Sequence, residues 1–189
     1  MNRYLTAAAL LLLTAPVALA QKELTNQAIW YSNTFSGDGL SGLTSMLDGI
    51  HYSTMEAGDA GAEVNAYAYR TGEKTQTVLR SQDLLLPGAS KPLDIDDYAF
   101  SGDERKLMVR TDMEPLYRYS YFAYNYVYDR ASKAVKPLTD PTKSKQRLAT
   151  FSPDGSHAAF MRDNNLFVVD LASMKETAIT TDGEWNKVL

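Results

Sequence analysis

The residues with chemical potential in this 189-residue chain are few and scattered. There are two histidines, His51 in "GIHYS" and His157 in "SPDGSHAAF", and no cysteine. Asp94, Asp96 and Asp97 crowd into "LDIDDY". Arg118 stands in "YRYSYFAYNYVYD", Tyr117 to Asp129, which also holds six of the chain's twelve tyrosines. Nucleophilic catalysis needs a serine, threonine or cysteine beside a base that is itself oriented by an acid. Neither histidine has a serine-and-acid constellation legible around it. The strained G-x-S-x-G elbow of serine hydrolases is absent too, because "GLSGL" (Gly39 to Leu43) fails at its last position. Hard-cation loops bring more oxygen ligands and a glycine bend than "LDIDDY" offers, so that stretch reads as a solvated turn. With no Cys/His zinc spacing, phosphate-cradling glycine loop or dinucleotide fingerprint, no metal or cofactor is expected. Arg118 brings a permanent charge and a planar fork of donors among those tyrosines, and spacing alone gives it no role.

The first twenty residues read as a secretory signal peptide: a positive start at Asn2–Arg3, an apolar run from Leu5 to Leu13, and Ala18-Leu19-Ala20 before Gln21. That run is too short to span a bilayer. Export to the periplasm or the medium is therefore expected, with no membrane span after cleavage at Ala20. The remaining 169 residues (21–189) carry 18 basic and 23 acidic side chains, net −5, with no basic cluster. Nucleic acids and anionic membranes are thus poor partners.

Aromatic and β-branched runs separated by Gly, Asp, Asn and Pro predict an all-β fold. The strand candidates are "GIHYSTME", "EVNAYAYR", "TQTVLR", "KLMVRTD", "YSYFAYNYVYD", "LATF", "HAAFMRD" and "NLFVVDL". Two stretches repeat. "YAFSGDERKLMV" aligns with "ATFSPDGSHAAF", placing Phe100, Ser101 and Asp103 on Phe151, Ser152 and Asp154. "VYDRASKAVKPLTD" aligns with "VVDLASMKETAITTD", placing Asp129 on Asp170, Ser132 on Ser173 and Thr139 on Thr180. The offset is 51 residues in the first match and 41 in the second, so the first copy carries a ten-residue insertion. A looser copy runs through "SMLDGIHYSTM" and "AYAYRTGEKTQTVL". Units of about 40–50 residues with four short strands predict β-propeller blades, and 169 residues supply three to four. In "SPDG", Pro153 sets the first corner, and Asp154 and Gly155 take the positive φ of a tight hairpin. Along "YRYSY", read as one strand, Tyr117, Tyr119 and Tyr121 share one face, with Arg118 and Ser120 on the other. The three-residue step from Tyr121 to Tyr124 implies a bulge or kink. The tyrosines are expected to pack.

These motifs resemble the N-terminal β-propeller of the dipeptidyl peptidase IV family, exported serine exopeptidases of the prolyl oligopeptidase group. The resemblance is strongest in "EPLYRYSYFAYNYVYD", "ATFSPDGSHAAFMRDNNLFVVDL" and "AITTDGEWNKVL". It implies a segment of an enzyme that releases X-Pro or X-Ala dipeptides from peptide N-termini. Arg118 falls on the arginine of the family's aromatic-Arg-His-Ser-Tyr motif, which binds the carbonyl of the second residue from the scissile bond; Tyr119 replaces the usual histidine. The family's catalytic triad lies in a separate hydrolase domain. Its paired glutamates, in Asp-Trp-Val-Tyr-Glu-Glu-Glu, follow soon after the "TTDG" turn, where this sequence stops at Leu189; Glu184 reads as a turn residue. The resemblance thus implies an incomplete propeller, from a truncated or split gene or a fragmentary gene sequence, that serves peptide N-termini together with a missing hydrolase domain. It also implies no hydrolysis by this chain alone and a parent able to form homodimers. The alternative is a non-catalytic, TolB-like periplasmic propeller module that holds a protein partner, which the "SPDG" turns permit.

Overall fold

The computed structural model describes residues 24–35 and 42–186; the expected signal peptide lies outside them. The chain divides into two compact units, 1–40 and 41–189. In the first, Thr25 caps a single-turn helix, α1 (Asn26–Trp30), by accepting the Ala28 N–H through its hydroxyl at 3.0 Å. No helix among the described residues is long and apolar enough to cross a membrane.

The second unit is three four-stranded antiparallel sheets, each a meander in which sequential strands are neighbours. The first blade is β1 (Thr44–Ser45), β2 (His51–Gly58), β3 (Gly61–Ala68) and β4 (Lys74–Arg80). The second is β5 (Asp97–Phe100), β6 (Lys106–Tyr117), β7 (Ser120–Asp129) and β8 (Val135–Pro137). The third is β9 (Arg147–Phe151), β10 (His157–Arg162), β11 (Asn165–Asp170) and β12 (Lys175–Ala178). The expected blade architecture is therefore the observed one.

The alternation of side chains explains why the sheets stack. Along β6, Leu107 and Val109 enter a core shared with the first blade's Val64, Ala66 and Leu79, while Met108 points the other way, to Ala158, Phe160 and Val169 of the third. On β7, Tyr126 and Tyr128 join the first core and Val127 the second. A strand buried on both faces must be apolar at successive positions, which is why "KLMV" and "YVY" show no polar alternation.

Sequence recurrence is structural recurrence. In the second blade the Ser101 hydroxyl donates to Asp103 Oδ1 and to the Lys106 carbonyl, and accepts the Lys106 N–H. Ser152 repeats this with Asp154 and His157. After the third strand, Asp129 Oδ1 accepts the N–H and hydroxyl of Ser132 at 2.8 and 2.9 Å, and Asp170 does the same for Ser173 at 2.7 Å each. In the "SPDG" turn Gly155 alone takes positive φ, at 67°, and Asp154 does not; Glu104 fills the equivalent place at 54°.

The ten inserted residues lie in one hairpin. Strands β6 and β7 have 12 and 10 residues, where β10 and β11 have six each. At roughly 3.3 Å per residue, the second-blade hairpin extends on the order of 15 Å beyond its third-blade counterpart.

Candidate functional site

The long hairpin corrects the reading of "YRYSY" as one continuous strand. Tyr117 pairs with Ser120, so Arg118 and Tyr119 form a two-residue turn at the tip. Arg118 sits in the left-handed region at φ 48°. A hairpin turn this short needs positive φ, and the backbone cost for a residue other than glycine is about 1–2 kcal/mol. The tyrosines separate into two groups. Tyr126 and Tyr128 are core residues and Tyr124 packs against them, as expected; Tyr117 and Tyr119 are 68% and 92% exposed, so packing does not account for them. Arg118 is exposed as well, its Nε donating to the Tyr117 hydroxyl at 3.1 Å and its guanidinium 5.3 Å from that ring's centre. Among the described residues it has no acidic partner. Tyr121 lies under the Arg110 guanidinium at 5.5 Å, and partial burial raises its phenol pKa.

A bulge does occur near the Tyr121-to-Tyr124 step, with the extra residue on the facing strand. Thr111 pairs with Tyr124 and Glu114 with Phe122, so Asp112 and Met113 together oppose Ala123, with Asp112 at φ 51°. The bulge re-aims the Asp112 carboxylate, which reaches Lys145 at 2.7 Å. Gln146 fixes the hairpin on its other side. Its main chain exchanges two hydrogen bonds with Ala123, both 2.9 Å. Its side-chain oxygen accepts from the backbone and side chain of Asn125, each at 3.0 Å, and its amide donates to Thr139 Oγ1 at 2.9 Å. Gln146 is 1% exposed, so these bonds are made away from water, where leaving them unmade is costly.

At the flank of the hairpin an open cleft of about 690 Å³ lies against the third blade. Leu116, Phe122 and Tyr124 line one wall, Arg147, Met161 and Arg162 the other, with Trp185 at its edge. The third-blade wall is held by two features. A tight turn at Asp163 and Asn164, both at positive φ (50° and 60°), joins β10 to β11. Gly183 then packs so closely that a Cβ would stand 2.0 Å from the Asn164 carbonyl oxygen, while its N–H donates to Asn165 Oδ1 at 2.9 Å. Three cations reach this cleft in different states. Lys145 Nζ is 2.7 Å from Asp112 and 2.6 Å from Glu114; burial opposes its charge, and the two carboxylates outweigh that and raise its pKa. Arg162 makes a bidentate pair with Glu176 (3.0 and 2.5 Å), which holds that carboxyl below its usual range. Arg147 has no acidic partner among the described residues; its guanidinium lies 5.6 Å from the Phe122 ring centre and its Nε is buried without a hydrogen bond. The reading of the sequence missed Arg147, Trp185 and Gln146, whose roles depend on a bulge, a turn and an inter-blade contact that leave no motif.

The histidines also need one correction. His157 does stand between a serine and an acid: Ser156 Oγ is 2.7 Å from Nδ1 and Asp170 Oδ2 is 3.6 Å from Nε2. The second distance exceeds a hydrogen bond. The Ser156 hydroxyl already donates to Asp154 at 2.7 Å, and the His157 and Asp170 side chains, at the open end of the β10–β11 pairing, are each nearly half exposed. In the second blade Lys106 and Asp129 occupy the same cross-strand positions as His157 and Asp170, so the pairing belongs to the repeat. His51 Nδ1 meets Asp48 at 2.6 Å in the turn before β2. In "LDIDDY", Asp97 pairs with Arg110 at 2.7 Å and Asp96 accepts the Met113 N–H at 2.9 Å, so two of the three acids brace the sheet while their side chains remain in contact with solvent.

Residues 101–189 match the family model of the dipeptidyl peptidase IV (DPP IV) N-terminal region. A probable dipeptidyl-aminopeptidase B of Tuber melanosporum is 30% identical over 90% of this chain and 20% of its own length. A probable dipeptidyl peptidase 4 of Aspergillus fumigatus is 33% identical over 69% of this chain and 16% of its own. Among solved structures, Porphyromonas gingivalis dipeptidyl peptidase 4 is 33% identical with a TM-score of 0.69, over 88% of this chain and 23% of that one. The chain thus spans about a fifth of the relatives it matches along most of its length. With three meander blades in sequence order and this match across them, the chain belongs to the dipeptidyl peptidase IV family, as a stretch of that family's N-terminal β-propeller region.

Proposed function

We propose that this chain is the propeller segment of a serine exopeptidase that releases dipeptides from peptide N-termini, and that Arg118 holds the peptide backbone. The observation that carries this reading is the long second-blade hairpin, with an exposed guanidinium at its tip that has no acidic partner among the described residues. A guanidinium offers two parallel N–H donors to a carbonyl oxygen in a fixed geometry, and its charge does not vary over physiological pH. Gln146 and the Asp112 bulge keep the hairpin from swinging, which positions Arg118 at low entropic cost when a peptide binds. Tyr117 and Tyr119 flank it in place of the family's aromatic and histidine, and the Tyr117 hydroxyl that accepts from Nε orients the guanidinium.

Bond cleavage belongs to the hydrolase domain of the family and not to groups in this chain; the exposed Ser156–His157–Asp170 group lacks the geometry. The leader expected at residues 1–20 exports the protein to the periplasm or the medium. The test is dipeptide release from Gly-Pro and Ala-Pro reporters. The full-length protein that carries this segment is expected to turn them over in a manner blocked by a serine-directed inhibitor, and the 189-residue polypeptide is not. Turnover by the isolated polypeptide, or a full-length Arg118→Ala enzyme with unchanged kcat/KM, overturns the assignment.

A further inference from the structure

The cleft beside the hairpin has a feature that holding a peptide backbone at Arg118 does not use. Of the cations that reach it, Lys145 is committed to Asp112 and Glu114, and Arg162 to Glu176, whose Oε1 also binds Lys143 at 3.1 Å. Asp163 stands 4.0 Å from Arg162 Nε. The acids around the cleft are therefore spent on other cations, and Arg147 is the cation of this cleft left without an acidic partner among the described residues. Its approach is shaped by a second bulge. Ala159 pairs with Thr150 and Met161 with Arg147, so Leu148 and Ala149 together oppose Phe160, and Leu148 takes φ 54°. A bulge of this kind re-aims the neighbouring side chain, here laying the Arg147 guanidinium over Phe122. Leu116, Met161 and the 90% exposed Trp185 complete apolar walls around it. An arginine on an aromatic face, free of acids and partly desolvated, is a receptor for a carboxylate attached to an apolar body.

We propose that this cleft binds an acidic side chain of the peptide, flanked by an apolar residue, and so selects among substrates; this rests on the reading of Arg118 given above. Position follows from the hairpin itself. Phe122, which carries Arg147, is two residues along β7 from Ser120, which closes the Arg118–Tyr119 turn, so it lies on the order of 10 Å from the tip. An extended peptide rises by about 3.3 Å per residue, so a chain whose first residue is held at Arg118 presents about its fourth or fifth residue to Arg147.

The test uses octapeptides beginning Ala-Pro, with Glu-Phe or Gln-Phe at positions five and six, offered to the full-length protein. Dipeptide release is followed by mass spectrometry and equilibrium binding by titration calorimetry. The Glu peptide is expected to bind about tenfold more tightly and to be cleaved with about tenfold higher kcat/KM than the Gln peptide. Arg147→Gln is expected to erase the difference by lowering the Glu peptide to the level of the other. Because the Glu/Gln comparison is made on the unaltered protein, it holds even if the variant folds poorly. Equal binding and cleavage of the two peptides overturns the cleft assignment while leaving the exopeptidase reading intact. Glutamate-dependent binding lost in Arg147→Gln, without dipeptide release, upholds the cleft and overturns the exopeptidase reading.

Discussion

The second-blade hairpin β6–β7 and the third-blade hairpin β10–β11 are two versions of one element. Both begin at the same serine-aspartate turn and end at the same aspartate-serine turn, and both place their first strands in an inter-blade core. They differ beyond that base. The third-blade hairpin closes at once on Asp163–Asn164 and is capped by Gly183. The second continues through the Asp112 bulge to Arg118 and Tyr119 in open solvent. The difference shows how a repeat can be extended without losing its fold: the base keeps the packing and hydrogen bonds that form the blade, and the extension is free to carry charge at a strained turn. Under the proposed function, stability and recognition sit at opposite ends of one hairpin.

That division can be broken experimentally. The largest effect is expected at the base. Met108 is fully buried between the second and third blades, and Met108→Ala should cost about 2–5 kcal/mol of stability. A thermal melt that does not move would mean the two blades share no core. At the tip the same measurement should show nothing, while Arg118→Ala loses a charge-assisted hydrogen bond of about 1.5–3 kcal/mol, or roughly 10- to 100-fold in kcat/KM. A fall in melting temperature comparable to that of Met108→Ala would show that the tip is structural after all.

Gln146 joins the two ends, and its replacement should register in both assays. Gln146→Ala strands the buried Asn125 groups, at a cost of about 1–3 kcal/mol, and loosens the hairpin, so kcat/KM should fall as well. Loss of stability with full activity would separate the hairpin's anchorage from its function.

The smallest expected effect is in acid. Arg162 and then Lys143 hold the Glu176 carboxyl below its ordinary range. A carboxyl depressed in the folded state stabilises fully above its unfolded pKa of about 4.3, and that contribution disappears as pH falls through the folded value. Glu176→Gln should therefore lower the melting temperature at pH 7 and flatten its decline below about pH 4.5. An acid profile identical to that of the unaltered protein would remove Glu176 from the ion pairs that brace the cleft.

Much of the base was legible because it is local. The Ser101–Asp103 and Ser152–Asp154 turns bond within five residues. The Asp129–Ser132 and Asp170–Ser173 turns span three. Local geometry of this kind repeats whenever the residues do, so the alignment of the two copies found the blades and sized the insertion. The insertion's shape was not legible. Alternation along "YRYSY" fits a strand and a turn equally well until the register of β6 is known, and that register contains a bulge on the opposite strand. The Ser156–His157–Asp170 proximity was missed for a similar reason, since His157 and Asp170 meet only across the β10–β11 pairing.

The sequence by itself determined the blade repeat, most of the strands, and the serine-aspartate and aspartate-serine turns. These follow from side-chain alternation and short-range hydrogen bonds, which act within a few residues. Tertiary structure decided which cations remain free. Lys145, Arg147 and Arg162 lie close in sequence, yet carboxylates from β6 and β12 neutralise two of them and a bulge turns the third onto Phe122. Charge compensation acts through space, and only the packed blades fix which groups are near enough to compensate.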